Sequence, residues 1–448
     1  MRAKLAKQLQ KVVLTLTAVA FMSGTAFAEV DKLATILAEK GVITFGEAQR
    51  IITETKEDVK AKTATGKNEA VPLWVQTLKV RGDLRLRTQI DSSDANNAAE
   101  THTERVRVRE RFRLGIESMP LEGLKVAFGL ATGAMAGTGD KNPTSANHTF
   151  EAFNKVPIFL DYAYLEYAAT DWMTVSGGKV RSGAQLWMPS QLIWKSDVNP
   201  DGLAFNFKKV LNSDVTFFAN AGWYALGEKR ETYYGVSNNA TGSSATGMPT
   251  ILIAQPGIDY KYEKFSAKVG VSLQQFYLRG KYVASNETGA FGSGRWFVNT
   301  SVQPYDYSLV NPSFEFKYKE VVSRFGVSLS GDYTTNVNDD FNKAKKTYNL
   351  KDEDKNGYLI CLGFGDDRIG KLGTWQFKGA YRFLGKAAIP TGFGNTDAYG
   401  AMPGKGMEYS VTTGLLQNLS GVITYYDMTN LDGKAPAQVA QFDLVYRF

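Results

Sequence analysis

Eight arginines stand at alternate positions in two neighbouring stretches: Arg81, Arg85 and Arg87 in the first, and Arg105, Arg107, Arg109, Arg111 and Arg113 in the second. A spacing of two puts each set on one face of a β-strand. If the two stretches pair as a hairpin, the guanidinium groups lie side by side, and like charges repel unless carboxylates or bound anions sit between them. The chemistry open to such a ladder is electrostatic, a positive wall that draws anions. Glu117, Asp161, Glu166 and Asp197 are the carboxylates available to neutralise it instead. Glu110 falls on the opposite, apolar face. If these strands cross a membrane, that places it near the interface or at a bulge, because a carboxylate at the bilayer midplane is costly.

A second concentration lies in residues 182–200, where Leu186, Trp187, Met188, Leu192, Ile193 and Trp194 stand beside Lys195 and Asp197. A water-exposed loop has no use for that apolar load, whereas a loop folded against an inner wall does. The competing reading is a plain surface loop. Reactive side chains are scarce elsewhere. The lone Cys361 excludes an intramolecular disulfide framework and a Cys-based metal site. Two histidines, His102 and His148, leave little room for nucleophilic catalysis or a His-rich metal site. Asp352-Glu353-Asp354-Lys355-Asn356-Gly357 begins like an EF-hand loop, but position twelve is Gly363 where a bidentate Glu is needed. No catalytic residue, metal or cofactor is expected.

The elements that must carry these residues follow from the rest of the chain. Its 448 residues are 43% hydrophobic and 12% aromatic, with 43 glycines, too apolar for disorder and too rich in Gly, Tyr and Phe for a helical bundle. Residues 1–28 read as a signal peptide: Arg2, Lys4, Lys7 and Lys11, then the apolar run Val12–Met22, then the A-x-A site Ala26-Phe27-Ala28. Removing those four basic residues from 52 leaves 48 basic against 45 acidic side chains, a net charge of +3. That is no footprint for nucleic acid, which is not expected as a partner. No later stretch has the ~18 uninterrupted apolar residues of a transmembrane helix.

Residues 29–70 read as a short helical segment and linker. Leu33, Ile36 and Leu37 keep helical spacing, Thr44-Phe45-Gly46-Glu47 has the form of a capping box, and residues 56–70 are polar. From Trp74 onward the period becomes two. Leu78, Val80, Leu84, Leu86 and Ile90 alternate with polar neighbours, and the pattern recurs to Ala440, Phe442, Leu444, Tyr446 and Phe448. Alternation sustained this far, with aromatics (Trp172, Trp223, Tyr260, Tyr262, Tyr425, Tyr426) at strand ends, is the pattern of a transmembrane barrel, whose strands must close because lipid tolerates no open edge.

Connections alternate in length. Short ones fall near 119–122, 169–171, 211–214, 263–264, 319–320, 366–373 and 417–418. Long polar ones fall near 91–103, 133–155, 182–200, 225–249, 279–305, 335–356, 385–405 and 429–436. Short turns on one side and long loops on the other give eight hairpins, about sixteen strands. The expected fold is therefore all-β: a transmembrane antiparallel β-barrel over residues 71–448.

The last strand puts Phe448, Tyr446 and Leu444 on one face and Arg447, Asp443 and Gln441 on the other. It resembles the terminal strand signal of Gram-negative outer-membrane proteins, which implies recognition by the barrel-assembly machinery. Three further motifs, with the helical entry Glu39-Lys40-Gly41-Val42-Ile43-Thr44, resemble the family of putative porins of Gram-negative bacteria. They are Val80-Arg81-Gly82-Asp83-Leu84-Arg85-Leu86-Arg87, Arg111-Phe112-Arg113-Leu114, and Leu192-Ile193-Trp194-Lys195-Ser196-Asp197-Val198-Asn199-Pro200-Asp201-Gly202. The third departs from the family pattern at Lys195, where an acidic residue is usual, and at Asp201, where Glu is usual. The resemblance covers the mature chain and implies a passive diffusion channel without naming a solute.

The function expected is an outer-membrane porin for small hydrophilic solutes, with anion preference if the ladder is unpaired. The eight arginines are its candidate pore lining, and Trp187, Trp194, Lys195 and Asp197 its candidate constriction loop. Phe448, Tyr446 and Leu444 are the candidate assembly signal. A structural or adhesive barrel with a blocked lumen and a barrel hydrolase are the alternatives; both histidines fall in loop regions, which disfavours the last. Lipid and the assembly machinery are the other partners, and association into homotrimers is left open.

Overall fold

The computed structural model describes residues 71–93, 103–133, 145–226, 248–277, 306–390, 393–395, 397, 403–431 and 436–448, with scattered positions between 37 and 54. It divides into two units, Met1–Leu78 with Ser118–Leu121, and Lys79–Glu117 with Glu122–Phe448. The expected signal peptide and the linker 56–70 lie outside the described residues.

In the first unit the Thr44–Glu47 capping box is formed. Glu47 N donates to Thr44 Oγ1 at 3.2 Å and Thr44 N donates to Glu47 Oε2 at 2.8 Å. Trp74 and Val75 do not begin the period-two pattern. They belong to one helical turn, Leu73–Gln76, opened by Pro72, whose ring fixes a φ (−54°) suited to a helix start. Met119 N donates to Thr77 Oγ1 at 2.8 Å, and Ser118 Oγ to Trp74 O at 2.6 Å.

The second unit is a closed antiparallel barrel of sixteen wall strands. In chain order these are β1 (Lys79–Ser93), β2 (Thr103–Leu121), β3 (Leu124–Thr132), β4 (Ile158–Thr170), β5 (Met173–Lys179), β6 (Asp201–Val210), β7 (Val215–Ala225) and β8 (Thr250–Tyr262). There follow β9 (Phe265–Tyr277), β10 (Tyr307–Val322), β11 (Phe325–Asn336), β12 (Asn356–Gly365), β13 (Trp375–Leu384), β14 (Gly404–Leu416), β15 (Leu419–Asn430) and β16 (Pro436–Arg447). Each pairs with its neighbours in sequence, and β16 pairs with β1 from Asp83↔Arg447 to Ser93↔Ala437. Closure leaves no edge. The chain end takes part in it: Gly82 N donates to Phe448 O at 2.9 Å and Phe448 N to Gly82 O at 3.1 Å.

The alternation sorts side chains as expected. Leu84, Leu86, Val106, Val108, Phe442, Leu444, Tyr446 and Phe448 are exposed on the outer face, while Asp83, Arg85, Arg87, Gln89 and Gln441 are buried on the inner one. Trp172, Trp223, Tyr262 and Tyr425 are exposed. Tyr426 is not part of an outer girdle. It is buried, because residues 425 and 426 are adjacent on one strand and only one can face out. Residues 319–320 are likewise no turn. They lie within β10 at a bulge between Tyr318 and Val322, and the chain reverses at residues 323–324, where Ser323 takes a positive φ of 55°.

Glu110 lies above the end of β3, whose last residue Thr132 accepts from Phe112 N at 3.0 Å. There a two-residue strand, His148–Thr149, pairs with Arg109 and Glu110, and His148 Nδ1 comes within 3.4 Å of Glu110 Oε1. The carboxylate thus sits at the rim with a polar neighbour. The EF-hand-like start is a 3-10 turn, Asp352–Lys355, whose acids serve the chain itself. Asp354 accepts from Lys351 N at 2.8 Å, and Asp352 pairs with Lys345 at 2.6 Å.

Candidate functional site

Two long connections turn into the lumen and meet there. The first, L3 (residues 180–200), follows β5; the second, L7, follows β13 and is described at residues 385–390, 393–395 and 397. Leu192, Ile193, Trp194 and Val198 of L3 and Ala388, Ile389 and Phe393 of L7 are buried in one apolar cluster, together with Tyr224, Ile251, Ile253, Phe276, Tyr307 and Leu309 of the wall. Phe393 is its pivot, with ring centroids 4.8 Å from Trp194 and 5.2 Å from Phe276. Burial of these rings is what draws the loops in, since one end of the inner face of β7–β10 carries Tyr224, Ile251, Ile253, Phe276, Tyr307 and Leu309 where a water-filled wall would be polar. The inward turn of L3 matches the apolar load of residues 182–200. The sequence reading makes residues 385–405 a long polar extracellular loop instead. Its signal was the short run Ala387-Ala388-Ile389 with Phe393, diluted by the glycines and polar residues around it.

Polar ties fix the loops. Lys195 N donates to Phe393 O at 2.6 Å and Asn395 N to Gln191 O at 2.8 Å, joining L3 to L7. Gln255 of β8 holds both sides of Trp187, accepting from its N at 2.9 Å and donating to its O at 2.7 Å. Ser190 hydrogen-bonds to Asp332 of β11, whose other oxygen accepts from Ser313 at 2.6 Å. At the root of L3, Asn199 donates to Asp161 Oδ1 at 2.9 Å and accepts from Ser182 N at 3.0 Å. The loop therefore spans the lumen from β4 to β11.

The arginine ladder lies on the inner face of β1 and β2, where Arg85, Arg87 and Arg109 are buried and residues of L3 and L7 reach it. Register places Arg85 opposite Arg111 and Arg87 opposite Arg109 across β1 and β2, as the hairpin reading requires. Carboxylates separate them. Arg87 Nε and Nη2 donate to the two oxygens of Asp443 at 2.6 and 2.7 Å, and its Nη1 to Asp397 of L7 at 2.9 Å. Asp83 takes Arg111 Nη2 and Arg113 Nε, both at 2.7 Å. Asp91 takes Arg107 at 2.5 Å. Asp197 stands 3.7 Å from Arg113, and Asp443 stands 3.8 Å from Arg85. Arg109 donates to Gln89 Oε1 at 3.2 Å. Arg81 and Arg105, near the strand ends, are exposed and stand apart from this cluster.

Of the four carboxylates foreseen as partners, only Asp197 touches the ladder. Glu166 pairs instead with Lys125 at 2.7 Å. Asp83 and Asp91 share the arginines' own alternation, and Asp443 shares that of the last strand, so pairing that strand to the first would have revealed Asp443↔Arg87. Asp397 has no such signal. Burial would raise its carboxyl, but Arg87 and Arg85 outweigh that and hold it far below the ordinary range.

The four constriction-loop candidates divide by role. Trp194 is packing, with Nε1 donating to Val198 O at 2.8 Å. Trp187 lies edge-on to Phe218 under the ammonium of Lys268, 4.8 Å from its ring centroid. Asp197 reaches the ladder. Lys195 is 3% exposed and its Nζ meets no acceptor. Burial pushes its ammonium down to about 8, against the pull of Asp197 and Asp397.

The family described as "putative porin" matches residues 92–304 and 303–448 of the chain. In shape the chain is similar to OprB of Pseudomonas putida, with 11% identity, a TM-score of 0.49, and 86% of this chain and 97% of that one covered. It is similar too to the outer membrane channel DcaP of Acinetobacter baumannii, with 14% identity, a TM-score of 0.42, and 83% and 97% covered. A triple mutant of the Rh. blastica porin gives 10% identity, a TM-score of 0.41, and 83% and 100% covered. No curated protein sequence matches the chain.

Proposed function

Because the chain belongs to the putative porin family, we propose that it is an outer-membrane channel through which small hydrophilic solutes diffuse, with a mild preference for anions. The observation that carries this reading is the division of the lumen. L3 and L7 pack against the apolar ends of β7–β10, while Arg85, Arg87, Arg111, Arg113 and their aspartates gather on β1, β2 and β16, and the proposed passage follows that charged side. Size is then set by the loops and charge by the wall, with no energy input. Export through a signal peptide cleaved after Ala28, a periplasmic place for residues 29–70, and assembly through the Phe448 strand belong to the same proposal.

The interlocked loops also favour a second reading, a barrel whose lumen is closed. Planar-bilayer recording of the purified protein separates the two. A diffusion channel gives discrete ohmic conductance steps in potassium chloride. A closed barrel inserts and gives none.

A further inference from the structure

Away from the ladder, β11, β12 and β13 turn a row of small side chains inward. Ser328, Ser330, Cys361, Gly363 and Ala380 leave a cavity of about 440 Å³, roofed by Met188–Leu192 of L3 and Asn395 of L7. It extends to Arg324, Gly326 and Asp367 beside the short turns. Most of its charged lining is paired: Lys317 with Glu315 (2.9 Å), Lys319 with Asp367 (3.3 Å), Arg324 with Asp366 (2.9 Å) and Glu320 with Lys264 (3.0 Å). Arg382, Lys378 and Glu408 have no ion-pair partner within 4.0 Å among the described residues.

Arg382 is 3% exposed and stands in the cavity wall. Its Nη1 reaches Asn395 O only at 3.5 Å, while Nε and Nη2, which share one edge of the guanidinium, meet no acceptor. Buried donors left so are uncommon. The same lumen shows what that edge accepts. Arg87 uses its Nε and Nη2 to grip both oxygens of Asp443, and Arg111 uses the same two atoms on a single oxygen, Oδ1, of Asp83 at 3.0 and 2.7 Å. Such a fork matches a carboxylate. The cavity is of the size that holds a small molecule, and Arg382, Lys378 and Glu408 in its wall sum to one positive charge.

We propose that Arg382 binds the carboxylate of a small organic anion, held side-on by Nε and Nη2 in this cavity. The inference rests on the channel reading for how the solute arrives. Conductance tests that reading separately, so either can fail alone.

Cys361, the chain's single cysteine, lines the cavity and reports its occupancy. The folded full-length barrel is treated with a small methanethiosulfonate reagent, with and without sodium propionate, folding being checked by heat-modifiable migration. Propionate is expected to slow modification of Cys361. Arg382→Gln should abolish this protection. Arg382→Lys, which keeps the charge and loses the fork, should weaken propionate's protection about tenfold, the scale of a charge-assisted hydrogen bond. Equal protection in Arg382→Lys and wild type, or protection surviving in Arg382→Gln, would overturn the proposal. So would a Cys361 that never reacts, or inorganic phosphate protecting better than propionate.

Discussion

Lys195 is the position of L3 at which a single charge bears on the proposed channel. Its ammonium is buried, with Asp197 of L3 and Asp397 of L7 the acids that act on it, and burial lowers its pKa to about 8. The sign follows directly: below pH 8 the group carries a positive charge, and above it that charge is lost while Asp397, held far below neutrality, keeps its negative one. Raising the pH from 7 to 9 should therefore move the reversal potential in a salt gradient toward the cation side. Lys195→Met should start from the shifted value and show little pH dependence over that range. A wild-type potential that stays constant would place the ammonium outside the conducting path. Gly82 matters for a steric reason. A Cβ there would lie 2.4 Å from Phe448 Cζ and 2.5 Å from Arg113 O, so any larger residue must displace the terminal ring or the strand. Gly82→Val should cost about 1–3 kcal/mol, the range for overpacking, read as a lower urea midpoint for the folded barrel.

At the scale of elements, L3 and β16 do different work. L3 contributes most of its apolar side chains to the plug, whereas the wall is hydrogen-bonded strand to strand without it. Deleting residues 186–194 should raise single-channel conductance and leave heat-modifiable folding intact. Unchanged conductance would mean that L7 alone sets the constriction. β16 closes the ring, and Phe448 completes its ladder onto Gly82. Deleting Phe448 should sharply lower the amount of folded barrel in the outer membrane, and normal levels would remove its role as an assembly signal. The strands were legible because each answers to two solvents, lipid outside and lumen inside, and so repeats with period two. L3 was legible because Leu192-Ile193-Trp194 is too apolar for water. L7 was not, since its few apolar residues gain meaning only once Trp194 and Phe276 are beside Phe393. The partners of Arg87 were hidden for a similar reason: Asp443 lies 356 residues away and Asp397 310 residues away, and only closure and loop entry bring them together.

For the whole molecule, the proposed selectivity rests on the balance between two charged sets on one side of the barrel. Arg85, Arg87, Arg107, Arg109, Arg111 and Arg113 face Asp83, Asp91, Asp197, Asp397 and Asp443, each of which lies within 4 Å of a ladder arginine. Six against five leaves a small positive excess, to which Lys195 adds below pH 8. The net charge of +3 proposed for the chain after signal-peptide cleavage points the same way but is spread over the entire surface, and charges beyond a Debye length of about 8–10 Å are screened. A mild anion preference that fades as ionic strength rises is therefore expected, weaker than eight unpaired arginines would give. Replacing Arg85, Arg87, Arg111 and Arg113 by glutamine removes four of the six positive groups and leaves Asp83, Asp397 and Asp443 without their closest partners. The reversal potential should then cross to the cation side, a larger change than screening alone would produce. A quadruple variant that still folds yet keeps the wild-type reversal potential would show that ions do not pass along this wall, and the ladder would then act as a structural tie between β16, β1 and β2.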